Sequence, residues 1–153
     1  MDRRVAIFLH YAHKDRVWLN ELILHLMPML RLGLIDLRYD VSISPGASWE
    51  EEINKYLEMA QIILLLVSPD FMASDYCYGE GMVRAMERHV GGEALVIPVL
   101  LRPIYWQGSP FGKLKALPMD AQPVTKWPDR DDAFFNIAEG IREVVEKIIA
   151  SWG

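Results

Sequence analysis

Ser74-Asp75-Tyr76-Cys77-Tyr78-Gly79-Glu80 is the segment of this chain best equipped for chemistry. Tyr76 and Glu80 are four residues apart, so on one helix they share a face. An aromatic ring one turn from a carboxylate makes a platform for a planar cationic ring beside a group that stabilises charge. The same pair is also what a solvated helix glutamate beside a packed tyrosine looks like, and on base rates alone that is the commoner case. Other chemistry finds no footing. There is no Walker loop, and Gly79-Glu80-Gly81 begins a glycine fingerprint whose third glycine is replaced by Arg84. Ser68 stands where a phospho-acceptor domain would carry its aspartate. His10 and His13 lack further ligands at metal spacing and read as surface or capping histidines, so no metal site is expected. Cys77 has no persuasive histidine partner in sequence and reads as a small hydrophobe on a helix face.

These residues need a scaffold, and the hydrophobic pattern supplies one. Val5 to Leu9 and Ile62 to Val67 are unbroken apolar runs, as strands buried on both faces require. Leu34 to Tyr39 is a more mixed strand, and Leu95 to Leu101 a fourth, whose Pro98 suggests a sheet edge. Helical spacing appears between them. Leu19, Leu22, Ile23, Leu26 and Leu30 form one face, which Pro28 is expected to end or kink near Met27. Ser48-Trp49-Glu50-Glu51 reads as a capping box before Ile53, Tyr56, Leu57 and Ala60. A further helix is expected from about Asp75 to His89, although Gly79 and Gly81 each cost about 1 kcal/mol relative to alanine. Residues 102 to 128 carry five prolines and read as loop, with a short fifth strand around Pro123 to Lys126. Asp129 to Asp132 open a last helix bearing Phe134, Ile137, Ile141, Val144, Val145 and Ile148.

Alternating strands and helices with fully apolar strands predict an α/β fold, a doubly wound parallel sheet of about five strands with helices on both faces. In such a sheet ligands sit outside the carboxyl ends of the strands, at the switch in strand order. That rule gathers His10, Tyr11 and Ala12, then 40–47, then 68–80, around one crevice.

Composition narrows the function classes. The chain has 153 residues, 52% of them apolar and 24% charged, which suits one folded domain over 1–153. Sixteen Lys and Arg against 21 Asp and Glu leave a net charge of −5, which disfavours a dedicated nucleic-acid binder. No apolar run reaches the length of a membrane span, and the apolar start is too short for a secretory signal. A single cysteine cannot form an internal disulfide, so a cytoplasmic location is expected.

Four boxes, in order and at the expected spacing, resemble a bacterial TIR (Toll/interleukin-1 receptor-like) domain over roughly residues 4 to 150. Phe8-Leu9-His10-Tyr11-Ala12-His13-Lys14-Asp15 is similar to the family's opening box. Asp40 through Trp49 to Ile53 resembles its BB-loop box, with Gly46 and Trp49 in register. Leu64 to Phe71 followed by Ser74 to Tyr78 resembles the third box, and Ile97 to Pro103 with Trp106 the fourth.

The resemblance implies a flavodoxin-like fold and two functions. Many members cleave NAD+ at the nicotinamide–ribose bond, giving nicotinamide and ADP-ribose or a cyclic isomer; others signal only through homotypic TIR–TIR association. Bacterial members often act in antiphage defence beside a sensor domain or partner protein. On the resemblance Glu80 is the catalytic carboxylate, Tyr76 stacks on the substrate, and Phe8, His10, Tyr11, Ser44 and Trp49 shape the pocket. NAD+ is then substrate, with no separate cofactor and no metal. One carboxylate suffices because nicotinamide leaves NAD+ neutral and needs no general acid, unlike an ordinary glycoside leaving group. The remaining task is to stabilise an oxocarbenium-like ribose. In similar bacterial members the glutamate falls four residues after the cysteine, where this chain has Gly81; Glu80, three after it, follows the plant spacing. His10 stands where the opening box usually has a small residue. The resemblance runs from almost Met1 to near Trp152, so the expectation is a module served by a separate partner or one trimmed from a longer protein.

Overall fold

Four parallel strands form the sheet in the computed structural model, which describes residues 3–40 and 45–153. They are β1 (Val5–His10), β2 (Ile35–Arg38), β3 (Ile62–Val67) and β4 (Leu95–Leu100), in spatial order β2-β1-β3-β4. Helix α1 (Arg16–Arg31) joins β1 to β2, and α2 (Trp49–Met59) leads into β3. Three helices, α3 (Pro69–Ala73), α4 (Asp75–Tyr78) and α5 (Glu80–Val90), connect β3 to β4, and α6 (Arg130–Ser151) closes the chain. The order reverses between β1 and β3, which puts the ligand-binding switch point of a doubly wound sheet at their carboxyl ends.

Strand alternation divides the core. Val5, Ile7 and Leu9 of β1 face α1 and α6, packing with Leu22, Leu26, Phe134, Ile137 and Ile141. Phe8 faces the other way, with Ile63, Leu65, Ile53, Met82 and Ala85. All six residues of β3 are buried, as its unbroken apolar run requires. Arg88 is a buried cation on this second side. Its guanidinium donates to the carbonyls of Leu57 and Ala60, both at 2.7 Å, so it occupies acceptors that the end of α2 would otherwise leave without partners.

The fifth strand differs from expectation. Val124–Lys126 is a turn of 3-10 helix after Pro123, and the place beside β4 is taken by Leu117 alone, through one parallel bridge to Val99. Pro98 sits on that outer edge as expected. Val96 N–H donates to His89 Nδ1 (3.0 Å) and Leu100 N–H to the Leu117 carbonyl (2.8 Å), while Pro98 between them has no N–H to leave unpaired. Pro28 does not end α1, which runs on to Arg31. Leu24, whose carbonyl loses its partner, is exposed, so water can replace the missing N–H. Ser48 precedes α2, but its hydroxyl makes no capping bond; Glu50, Glu51 and Glu52 put favourable negative charge in the first turn instead. Asp129 does cap α6, accepting from Asp131 N–H at 2.8 Å. The expected helix from Asp75 to His89 is two helices, α4 and α5, separated at Gly79 (φ −82°, ψ −122°).

Candidate active-site crevice

The carboxyl ends of β1 and β3 open into a cleft of about 420 Å³, walled by Tyr11, Trp49, Asp70, Ser74, Tyr76 and neighbouring small or basic residues. Local capping shapes one wall. Ser68 ends β3 and accepts the Phe71 N–H to start α3, and Ser74 accepts the Cys77 N–H to start α4. Two short helices therefore turn successive side chains toward the cleft.

Aromatic rings run along its floor. Phe8 lies 5.8 Å from His10, His10 meets Tyr76 edge-on at 5.1 Å, and Tyr76 meets Trp49 at 4.8 Å. Phe8 and His10 are buried, while Trp49 and Tyr76 are partly open, so the exposed end of the row is the one a ligand can reach. Burial holds the Tyr76 phenol above its ordinary pKa, with smaller contributions from Cys77, Asp40 and Tyr11, so it stays protonated. His10 Nε2 is 2.9 Å from the Cys77 carbonyl, which can only accept; Nε2 therefore carries the proton. Burial lowers the His10 pKa to about 4, leaving a neutral ring at pH 7. The Cys77 thiol is pushed up to about 11, chiefly by burial, which keeps it protonated and unreactive.

Two polar clusters flank the rings. At the first, Tyr11 Oη donates to Asp40 Oδ1 at 2.5 Å, His13 Nε2 lies 2.7 Å from Asp40 Oδ2, and Arg16 stands 3.6 Å from the same oxygen. Burial, then Asp40, raises the Tyr11 pKa, so the phenol remains a donor. At the second, fully buried Asp15 accepts from Ser68 Oγ and from Arg102 (2.9 Å), and the same Arg102 nitrogen also donates to Asp70. This cluster ties the ends of β1, β3 and β4 together.

Phe8, His10, Tyr11, Trp49 and Tyr76 thus converge at the crevice or its floor. Ser44 lies outside the described residues. Glu80 is exposed at the start of α5 and is not among the residues that line this cleft. Gly81 adds a reason for the local arrangement. A Cβ there would lie 2.9 Å from His10 Cε1, so the imidazole occupies the space that a side chain at 81 would need. Asp15, Asp40, Asp70 and Arg102 fall inside the four family-like boxes, but residue type and spacing give none of them a role. The strand-end rule covers Asp40 and Asp70 by position, but Arg102 lies on the next strand's exit and only the fold brings it across.

Comparison with known proteins follows the same outline. The TIR domain family profile matches residues 7–134. The chain is 44% identical over 143 residues to the uncharacterized protein y4lF of Sinorhizobium fredii, covering 94% of this chain and 44% of that protein. It is 29% identical over 127 residues to mouse Toll-like receptor 6 and 28% over 124 residues to the human protein, covering 79% of this chain and 15% of each receptor. The chain thus spans less than half the length of these curated relatives. Among solved structures, the TIR domain of the Toll-related receptor TRR-2 from Hydra magnipapillata superposes with a TM-score of 0.61 at 21% identity, covering 89% of this chain and 97% of that one. Among the described residues, no helix is long and apolar enough to cross a membrane.

Proposed function

The chain belongs to the TIR-domain family, and on that premise we propose that it binds NAD+ in the crevice and cleaves the nicotinamide–ribose bond when copies of the domain associate. The supporting observation is the open end of the aromatic row, where Trp49 and Tyr76 stand 4.8 Å apart at the switch point of the sheet. Ring faces carry negative potential, so such a wall suits a pyridinium cation. On this reading Glu80 supplies the negative charge that meets the developing oxocarbenium, reaching it from the rim of the crevice once a neighbouring copy packs against α5. Ser44, which follows β2 in the sequence, contributes to the pocket on this reading. The products are nicotinamide with ADP-ribose or a cyclic isomer, and the setting is a cytoplasmic antiphage effector driven to assemble by a sensor domain or partner, without direct contact with nucleic acid or membrane.

A second reading is a TIR scaffold that signals through homotypic association alone. The exposure of Glu80, which is not among the residues lining the cleft, favours it, because association alone needs no carboxylate there. One experiment separates the two. NAD+ consumption is measured across a range of protein concentrations, with a crowding agent and with Glu80→Ala as control. Turnover that rises steeply with concentration and vanishes in Glu80→Ala is the expected result. Self-association without turnover at any concentration would leave the scaffold reading alone.

A further inference from the structure

Asp70 is the only carboxylate among the described residues that line the 420 Å³ crevice. The other acids nearby are already committed. Asp40 has one oxygen engaged by Tyr11 and the other by His13, with Arg16 behind it. Asp15 is fully buried between Ser68 and Arg102. Glu80 is exposed at the start of α5 and does not line this crevice. Asp70 differs on both counts. Arg102 fixes its Oδ2, its side chain is about one-third exposed (32%), and no second hydrogen bond to it is found among the described residues. One oxygen is anchored and the other has no hydrogen bond among the described residues, on the same cleft as Tyr76 and Trp49.

A carboxylate presented in this way suits a ribose hydroxyl. It accepts the O–H without deprotonating it, and the bond strengthens as positive charge develops on the sugar. The anchored oxygen matters because a pre-oriented acceptor needs no rearrangement at the moment of reaction.

We propose that Asp70 Oδ1 is the crevice's catalytic acceptor for the 2′-hydroxyl of the nicotinamide ribose, positioned by the Arg102–Asp70 ion pair. The inference rests on the NAD+-cleaving reading above. The C1′–N bond breaks with both electrons leaving on the nicotinamide nitrogen, which becomes neutral, and the positive charge passes to the ribose. Water then adds at C1′ and its proton goes to bulk solvent. Asp70 gains no proton; it holds the 2′-hydroxyl throughout.

The test compares wild type with Asp70→Asn, at protein concentrations where turnover per copy has levelled off, on NAD+ and on an analogue lacking the 2′-hydroxyl of the nicotinamide ribose. Both substrates are run on the same preparations, so partial unfolding cancels in their ratio. Asp70→Asn is expected to lower kcat on NAD+ by about 100-fold. Turnover of the analogue should stay within about twofold of wild type, because the bond in question is absent from it. Equal losses on both substrates, or no loss on either, would overturn the role of Asp70 while leaving NAD+ cleavage standing. No turnover by wild type at any concentration would remove the underlying reading and this inference with it.

Discussion

Helices α4 and α5 follow one another in sequence, separated by a single glycine, and do opposite things. Tyr76 and Cys77 of α4 turn toward the crevice and the core, whereas Glu80, which begins α5, is exposed and Arg84 pairs outward with Glu58. On one unbroken helix Tyr76 and Glu80 would stack on the same face. The backbone leaves helical geometry at Gly79 (ψ −122°), so four-residue spacing stops implying a shared surface. The difference is held from inside: the His10 ring donates to the Cys77 carbonyl on one side of the break and fills the space over Gly81 on the other.

The largest expected effect lies with that ring. His10 is neutral when folded and its pKa is lowered to about 4 from 6.5, so between those values the unfolded chain binds a proton that the folded one refuses. The stability from burying neutral His10 is present above pH 6.5 and lost as pH falls toward 4, by about 3 kcal/mol. Denaturant titrations at several pH values should show this slope, and His10→Gln should lack it. A slope unchanged in His10→Gln would mean another group carries it.

Gly79→Ala comes next. Its Cβ would lie 2.3 Å from the Asp75 carbonyl oxygen, so the junction must shift, at about 2–3 kcal/mol. A lowered melting midpoint checks this; an unchanged one would show that α4 and α5 can merge freely. Gly81→Ala is expected to cost less, about 1–2 kcal/mol, because it meets a side chain that can move. Placing it in a His10→Ser background should remove most of that cost, and simple additivity of the two substitutions would break the link between ring and glycine. Smallest of all is Glu80→Ala, expected to leave stability within about 0.5 kcal/mol of wild type, since an exposed side chain outside the crevice has little to lose.

Much of the fold was legible because strand burial writes itself as apolar runs. Val5 to Leu9 and Ile62 to Val67 could only be interior strands, and Pro98 marked an outer edge before any strand order was known. Val124 to Lys126 resembles a strand locally because two β-branched residues, Val124 and Thr125, lie between Pro123 and Pro128. Pro123 and the packing of Leu117 beside β4 are what settle it. Asp75 to His89 reads as one helix in sequence because propensity penalties at two glycines are too small to force a break on their own.

The crevice divides in the same way. Its location followed from sequence, since strand alternation fixes which loops lie at the carboxyl ends of a parallel sheet. Its chemistry did not. Asp15, Ser68, Asp70 and Arg102 are spread over nearly ninety residues, Arg102 lying 87 positions after Asp15, and no spacing rule connects them until three strands lie side by side. The sequence by itself determined the interior strands, the apolar faces of α1, α2 and α6 and where a ligand can enter, because these depend on local periodicity, whereas the burial of His10, which reads locally as a surface histidine, does not. Only the tertiary structure decided which carboxylate lines the cleft, because that depends on a glycine junction, an imidazole that needs its space and an arginine reaching across the sheet.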